Sequence, residues 1–322
     1  MLKIERVIRL AIILMVSAIL VLTAGRVDTG TVLVSNKFDD GDSAGWSIYD
    51  WWTEGGVAHQ YFSPVSLENQ GGVGNSGYIW ADDSRWGIDW PDVSILCFII
   101  YPRWTGGGGP ENWDLRNAMV SVYLRGESLD LKGGSVRFWV FDSENDGVRY
   151  QFMGHPLSVS EGVWTKNTFV LENDESLWYR SWSGDTTKLT NLDKVLSGVD
   201  SYGFSFRQFS YYGGEVTGKL EMDEFSITAL APPHADFDGT PKSGVKPLTT
   251  VFTDTSTGDY ESSLWDFGDS ITSTLPSPIH TYTVPGVYSV RLTVNGPLGS
   301  DQKTKEGYIS VQHEIFFPLI SK

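Results

Sequence analysis

Apolar side chains in this chain recur at every second position. Val120, Val122 and Leu124 alternate with Met119, Ser121 and Tyr123, and the runs 136–141 and 202–206 also read as strands. A repeat of two sends successive side chains to opposite faces of a pleated ribbon, which restricts the chain to strands that bury a face. Helical spacing is nearly absent; the stretch 189–196 has room for about two turns. Pro232-Pro233 then interrupts the pattern, because two successive residues without amide hydrogens cannot carry a sheet ladder. The expected organisation is all-β: a strand-rich segment over 32–230, a proline linker at 231–234, a second strand-rich segment over 235–311, and a tail at 312–322. With 322 residues, both segments are long enough to bury a core of their own.

Composition removes several function classes. The single thiol, Cys97, allows neither an internal disulfide nor a thiolate metal cage. A formal net charge of −16, with no basic cluster beyond the first ten residues, repels phosphate backbones and argues against nucleic acid as a partner. Those first residues have another reading. Lys3, Arg6 and Arg9 precede an apolar run from Leu10 to Leu22, and small residues follow at Thr23, Ala24 and Gly25. The run falls short of the roughly 20 residues that span a bilayer. Residues 1–25 therefore read as a cleaved export signal, and the mature protein as secreted, without membrane insertion.

In the second segment Trp265-Asp266-Phe267-Gly268-Asp269 is followed by His280-Thr281-Tyr282, Pro285-Gly286 and the alternating strand Tyr288, Val290, Leu292, Val294. Together with Ala235-Asp236-Phe237, Phe252-Thr253-Asp254-Thr255-Ser256 and Tyr308-Ile309-Ser310-Val311, this resembles a PKD domain. The resemblance implies an immunoglobulin-like β-sandwich serving as spacer or binding module in a secreted protein, and it brings no catalytic residue. Independently, Trp265 and Phe267 share one strand face and suit a core, and His280 reads as a hydrogen-bonded packing residue. One departure stands out: Ser270 occupies the place where the family pattern usually has glycine, so a longer or less tight loop is expected.

The first segment opens on Phe38-Asp39-Asp40-Gly41 and Ala44-Gly45-Trp46 and closes on Leu220-Glu221-Met222-Asp223-Glu224-Phe225-Ser226-Ile227. That bracket is similar to jelly-roll carbohydrate-binding modules and to bacterial laminin domain IV-like modules. In the closing strand the apolar positions are even at Leu220 and Met222 but odd at Phe225 and Ile227. The phase slips at Asp223-Glu224, which is what a β-bulge does. The resemblance implies that the first and last strands lie close and hold a structural calcium, with Asp39, Asp40, Asp42 and Asp223 as carboxylate donors. The same acids read equally well as turn residues.

Tryptophans beside glycines suggest a binding face: Trp51 and Trp52 before Gly55-Gly56, Trp104 before and Trp113 after a run of glycines, and Trp182 before Ser183-Gly184, joined by Tyr211 and Tyr212. An indole held out by a flexible loop offers a flat apolar surface to the C–H face of a pyranose. Trp46, Trp139, Trp164 and Trp178 lie in or beside strand-like runs and read as core. For catalysis, Glu221-x-Asp223 is the best paired-carboxylate match to a glycosidase, but position 225 is Phe where lectin-like sandwich glycosidases carry a second Glu. No Gly-x-Ser-x-Gly elbow or histidine pair with ligand spacing is present. Thr105 and the four glycines after it lack the Lys-Ser/Thr of a phosphate loop. The tail Glu314–Ile320 is apolar and reads as a terminal box for surface retention or as an edge strand. The expectation is a secreted or cell-surface, non-catalytic protein that binds an extracellular polysaccharide through its first sandwich. The alternatives are a structural surface protein that binds other proteins and a glycoside hydrolase.

Overall fold

The computed structural model describes residues 30–54, 57–82, 97–100, 113–131, 133–142, 147–154, 156–183, 191–207 and 217–313. The chain divides into two compact units, one over Thr31–Ala229 and a second that starts at Leu230. Both are β-sandwiches, as the alternating pattern requires.

The strands of the first unit are β1 (Thr31–Asn36), β2 (Trp46–Glu54), β3 (Val57–Pro64), β4 (Ser66–Glu68), β5 (Tyr78–Asp82), β6 (Cys97–Ile100), β7 (Ala118–Asp130), β8 (Ser135–Asp142), β9 (Val148–Phe152), β10 (Thr165–Val170), β11 (Trp178–Ser183), β12 (Ser201–Arg207) and β13 (Thr217–Ala229). They form a six-stranded sheet in the order β10-β7-β13-β5-β4, with β1 paired to β13, and a seven-stranded sheet in the order β11-β9-β8-β12-β6-β2-β3. The first and last strands are thus direct antiparallel neighbours, Asn36 opposite Phe225. A short helix α1 (Leu192–Leu196) falls within the one stretch whose spacing allowed it, and the Asn191 side chain caps it by accepting from Lys194 N at 3.0 Å.

The core between these sheets is aliphatic at one end and aromatic at the other. Val120, Val122, Leu124, Leu220 and Met222 project inward from the six-stranded sheet, and Val136, Phe138, Val140, Tyr202 and Phe204 from the seven-stranded one. Trp46 lies against Phe225 edge-on at 5.0 Å between ring centres and is stacked on Phe204 at 6.0 Å. Each such fully buried large side chain contributes roughly 1.5–3 kcal/mol relative to exposure.

The phase slip in the closing strand is a bulge. Register between β13 and β7 shifts between Asp223 and Ser226, and Glu224 takes a left-handed φ of 45°. The extra residue lets Leu220 and Met222 before it, and Phe225 and Ile227 after it, all face the same core.

The second unit contains β14 (Phe237–Thr240), β15 (Ser243–Val245), β16 (Leu248–Asp254), β17 (Ser262–Asp266), β18 (Thr272–Ser273), β19 (Ile279–Tyr282), β20 (Gly286–Gly296) and β21 (Gly299–Gln312). They pack as a three-stranded sheet, β14-β16-β19, against a five-stranded one, β15-β21-β20-β17-β18. Trp265 and Phe267 enter the core together, and the Trp265 indole N–H donates to the Leu275 carbonyl at 3.0 Å. His280 stacks flat on Phe267 at 4.2 Å and bonds Asp269 through Nε2 at 2.7 Å, a packing role. Ser270 adopts φ 74°, so it fills the left-handed turn position that glycine would occupy at less steric cost. The double proline is stitched onto this unit: Ala231 and Asp259 exchange hydrogen bonds, and His234 pairs with Thr257.

Candidate functional site

Strand alternation gives the seven-stranded sheet an inner face that forms the core and an outer face that the core leaves free. On β8 the core takes Val136, Phe138 and Val140, so Arg137 and Trp139 belong to the outer face. Register carries that face across the sheet: Trp139 stands opposite Gln151 on β9 and Gly203 on β12, and Gln151 stands opposite Tyr179 on β11. The result is a row Tyr179–Gln151–Trp139–Gly203 across four neighbouring strands. Tyr179 is 46% exposed at the sheet edge, whereas Trp139 is only 3% exposed. The Arg149 guanidinium lies 5.7 Å from the centre of the Trp139 ring, and the Gln151 amide donates to the Ser205 hydroxyl at 2.5 Å. Gly203 adds no side chain beside the indole.

The Trp139 indole N–H is buried with no acceptor among the described residues. A buried donor without a partner costs about 1–3 kcal/mol, so such groups mark places where a further acceptor is expected. An exposed phenol ring, a polar rung of amide and hydroxyl, an arginine and an orphan N–H on one sheet face are the parts from which a sugar site is built: a surface for C–H contacts with donors and acceptors around it.

The outer face of the six-stranded sheet is organised differently, because its charges satisfy one another. Glu221 on β13 stands opposite Arg125 on β7, and their side chains form an ion pair with the carboxylate 2% exposed. Arg125 is sandwiched by Trp164 at 4.3 Å and Tyr78 at 5.0 Å from the ring centres. Both Arg125 Nη1 and the Trp164 indole donate to the Gly71 carbonyl, at 3.1 and 3.0 Å. Burial first, and the Glu221 charge second, push the Tyr78 hydroxyl above its ordinary pKa, while the bond to Glu221 raises that of Arg125. Glu221 is therefore a structural anion sealed beneath two rings, which removes it as the acid of a glycosidase. Trp164, read from the sequence as core, is instead the lid of this pair. Trp139 is buried as expected but on the face away from the core, while Trp46 and Trp178 do lie within it.

Of the acids considered as calcium donors, Asp39 and Asp223 reach the same loop. Asp223 Oδ2 accepts from Val73 N at 2.8 Å and the Ser76 hydroxyl at 2.6 Å, its Oδ1 accepts from Glu224 N at 2.6 Å, and Asp39 Oδ1 accepts from Gly77 N at 3.2 Å. The loop must come this close: a Cβ on Gly72 would meet Asp223 Oδ2 at 2.5 Å, and one on Gly77 would meet the Phe38 carbonyl at 2.1 Å. Asp40 and Asp42 accept from Asp42 N and Ala44 N, the short-range bonds of turn residues. Among the described residues no three His, Cys, Asp or Glu side chains lie together as a metal cage. As held here, the four carboxylates serve protein donors and do not fit the six to eight oxygen ligands that calcium takes.

The aromatic candidates divide by location. Trp51 and Trp52 lie on β2, paired with Gln60 and His59, and Trp182 lies on β11 opposite Arg149, so all three belong to strands where loops were expected. Trp113 is corrected more firmly. Its backbone exchanges two 2.9 Å bonds with Val199 and its half-buried ring stacks on Tyr202 at 6.2 Å, which makes it a packing residue at the core margin. Trp104, Tyr211 and Tyr212 lie outside the described residues. Sequence reasoning missed Tyr179, Arg149 and the outward placement of Trp139. The run Val136–Phe141 is apolar or aromatic at nearly every position, so it carries no alternation from which to assign a face.

Comparison with known proteins identifies the second unit: residues 230–311 match the PKD domain family. The PKD1 domain of the Vibrio cholerae metalloprotease PrtV is 38% identical, covering 25% of this chain and 98% of that one, with a TM-score of 0.22. The first unit is similar in fold to the CBM22-1 xylan-binding domain of Paenibacillus barcinonensis Xyn10C, at 15% identity, 63% of this chain, 97% of that chain and a TM-score of 0.33. It is also similar to CtCBM11, at 12% identity, 64% and 100% coverage and a TM-score of 0.35. No curated protein matches the chain.

Proposed function

We propose that this chain, in which a PKD domain follows a jelly-roll sandwich, is a secreted non-catalytic protein that binds an extracellular polysaccharide through the outer face of its seven-stranded sheet. The observation that carries the reading is the buried Trp139 N–H without an acceptor, set between Gln151, Arg149 and the exposed ring of Tyr179. Tyr179 supplies the stacking surface, Gln151 and Arg149 bond hydroxyl or charged groups, and Trp139 donates to a ligand oxygen. Export rests on the signal-like residues 1–25, and no helix among the described residues is long and apolar enough to cross a membrane. The PKD domain acts as spacer or second contact.

Retention on immobilised polysaccharides tests the reading. Tyr179→Ala should weaken retention without moving the melting temperature, because the ring is exposed. Trp139→Phe keeps an apolar ring but removes the N–H; it should weaken retention while leaving stability unchanged or slightly raised, since the unsatisfied donor disappears. Full retention in both variants would exclude this face as the site.

One feature of the second unit favours a different reading, adhesion to another protein. Val251 and Ile279 are directly paired across β16 and β19 and are 44% and 67% exposed. If that pair is the working surface, Val251→Ser/Ile279→Ser abolishes cell-surface retention while polysaccharide binding is unaffected.

A further inference from the structure

We propose that the ligand of the Trp139 face is an acidic glycan, a polysaccharide bearing carboxylate or sulfate groups; this rests on the reading of that face as the glycan site. The argument is the sign of its charges. The chain carries 40 acidic and 24 basic residues, so an average patch of its surface is acidic. The outer face of the six-stranded sheet fits that expectation, with Asp82, Glu127, Glu221 and Asp223 interleaved among Lys219, Arg125 and Lys166. Lys219 there is matched to Glu127 at 2.9 Å, and Arg125 to Glu221.

The face around Trp139 is reversed in sign. Its described side chains include Arg137 and Arg149 with Gln151, Ser205, Trp139 and Tyr179, and no Asp or Glu among them. Arg137 is 7% exposed and donates to two neutral acceptors, the Ser135 hydroxyl at 2.8 Å and the Met153 carbonyl at 3.1 Å, so its charge is fixed in place. Arg149 lies over the Trp139 ring. Three features thus converge on one spot of the sheet: two planar cations, a buried indole donor, and the missing side chain at Gly203. A guanidinium fork matches the paired oxygens of a carboxylate or sulfate, and such charge-assisted bonds are roughly twice as strong as neutral ones. A neutral sugar would use the ring and the amide but leave the arginines unexploited. The acidic remainder of the protein does not forbid an anion here, because charges more than about 8 Å away are largely screened at physiological ionic strength.

The test uses the full mature chain against three sets of immobilised polysaccharide: neutral (xylan, mixed-linkage β-glucan, agarose), carboxylated (alginate, polygalacturonate) and sulfated (carrageenan). The expected result is retention on at least one acidic set about tenfold tighter than on any neutral one, falling severalfold as sodium chloride rises from 0.05 to about 0.5 M. The carboxylated and sulfated arms identify which anion is used. Arg149→Gln should erase the preference for the acidic set, while Arg149→Lys, which keeps the charge but loses the fork, should retain part of it. Equal or tighter retention on neutral chains, or retention indifferent to salt, overturns the acidic assignment and leaves glycan binding standing. Retention on none of the three sets overturns both.

Discussion

Single residues in this protein are decided by what surrounds their polar atoms. Glu221 and Asp223 sit two positions apart on β13 and resemble a catalytic pair in sequence, yet each is consumed by a different structural task. Glu221 compensates Arg125 under the rings of Trp164 and Tyr78, and Asp223 caps the loop at Val73 and Ser76. Removing one member of a buried pair strands the other charge, which typically costs about 3–5 kcal/mol. Arg125→Ala should therefore lower the urea midpoint of the first unit by an amount in that range, whereas Arg125→Ala/Glu221→Leu should recover much of the loss. Equal destabilisation in the single and double variants would show that the pair is not the cause. The identities of these residues were legible beforehand, but their roles were not, because the partners of Glu221 lie 96 positions away at Arg125 and at loops the strand pattern does not locate.

Strands and turns were the most readable level. The slip from even to odd positions in β13 announced the bulge, and the bulge is present with Glu224 at φ 45°. The turn after Phe267 is a second case: glycine was expected from the family pattern, and Ser270 adopts the left-handed conformation in its stead, at φ 74°. A residue with a Cβ pays roughly 1–2 kcal/mol there, part of which glycine returns as extra freedom in the unfolded chain. Ser270→Gly should raise the stability of the second unit by about 0.5–1 kcal/mol, seen as an upward shift in its thermal midpoint, while Ser270→Val should lower it. An unchanged midpoint in both variants would deny strain at this turn. Aromatic residues beside glycine were less readable as elements: Trp51, Trp52 and Trp182 proved to be strand residues, because a ladder tolerates glycines at its end as readily as a loop does.

For the molecule as a whole, two separate cores mean two sources of stability with different pH responses. In the second unit three surface carboxyls are held below their ordinary pKa of 3.8: Asp238 chiefly by Lys242 and then Tyr308, Asp236 by the Phe237 amide and then Lys305, and Asp301 by the Ala235 amide. A carboxyl lowered on folding adds stability that is complete above its unfolded pKa and disappears as pH falls through the folded one. The thermal midpoint of the second unit should thus decline below about pH 4, modestly, since these groups are solvent-screened. Asp238→Asn should flatten that decline; calorimetry between pH 5 and about 2.5 in which the variant and parent curves fall in parallel would remove Asp238 from the account.

The sequence by itself determined that the chain is all-β, that a PKD sandwich follows the double proline, and that the last strand of the first unit bends by one residue. These are local or periodic properties, encoded in alternation, in proline's missing amide and in ordered short motifs. Only the tertiary structure decided which face of a uniformly apolar strand looks outward, and therefore that Trp139, Arg149 and Tyr179 share a surface while Trp113 and Glu221 do not. The physical reason is that a side chain's task depends on cross-strand neighbours tens of residues away, and register, which brings them together, is settled when two sheets close over one core.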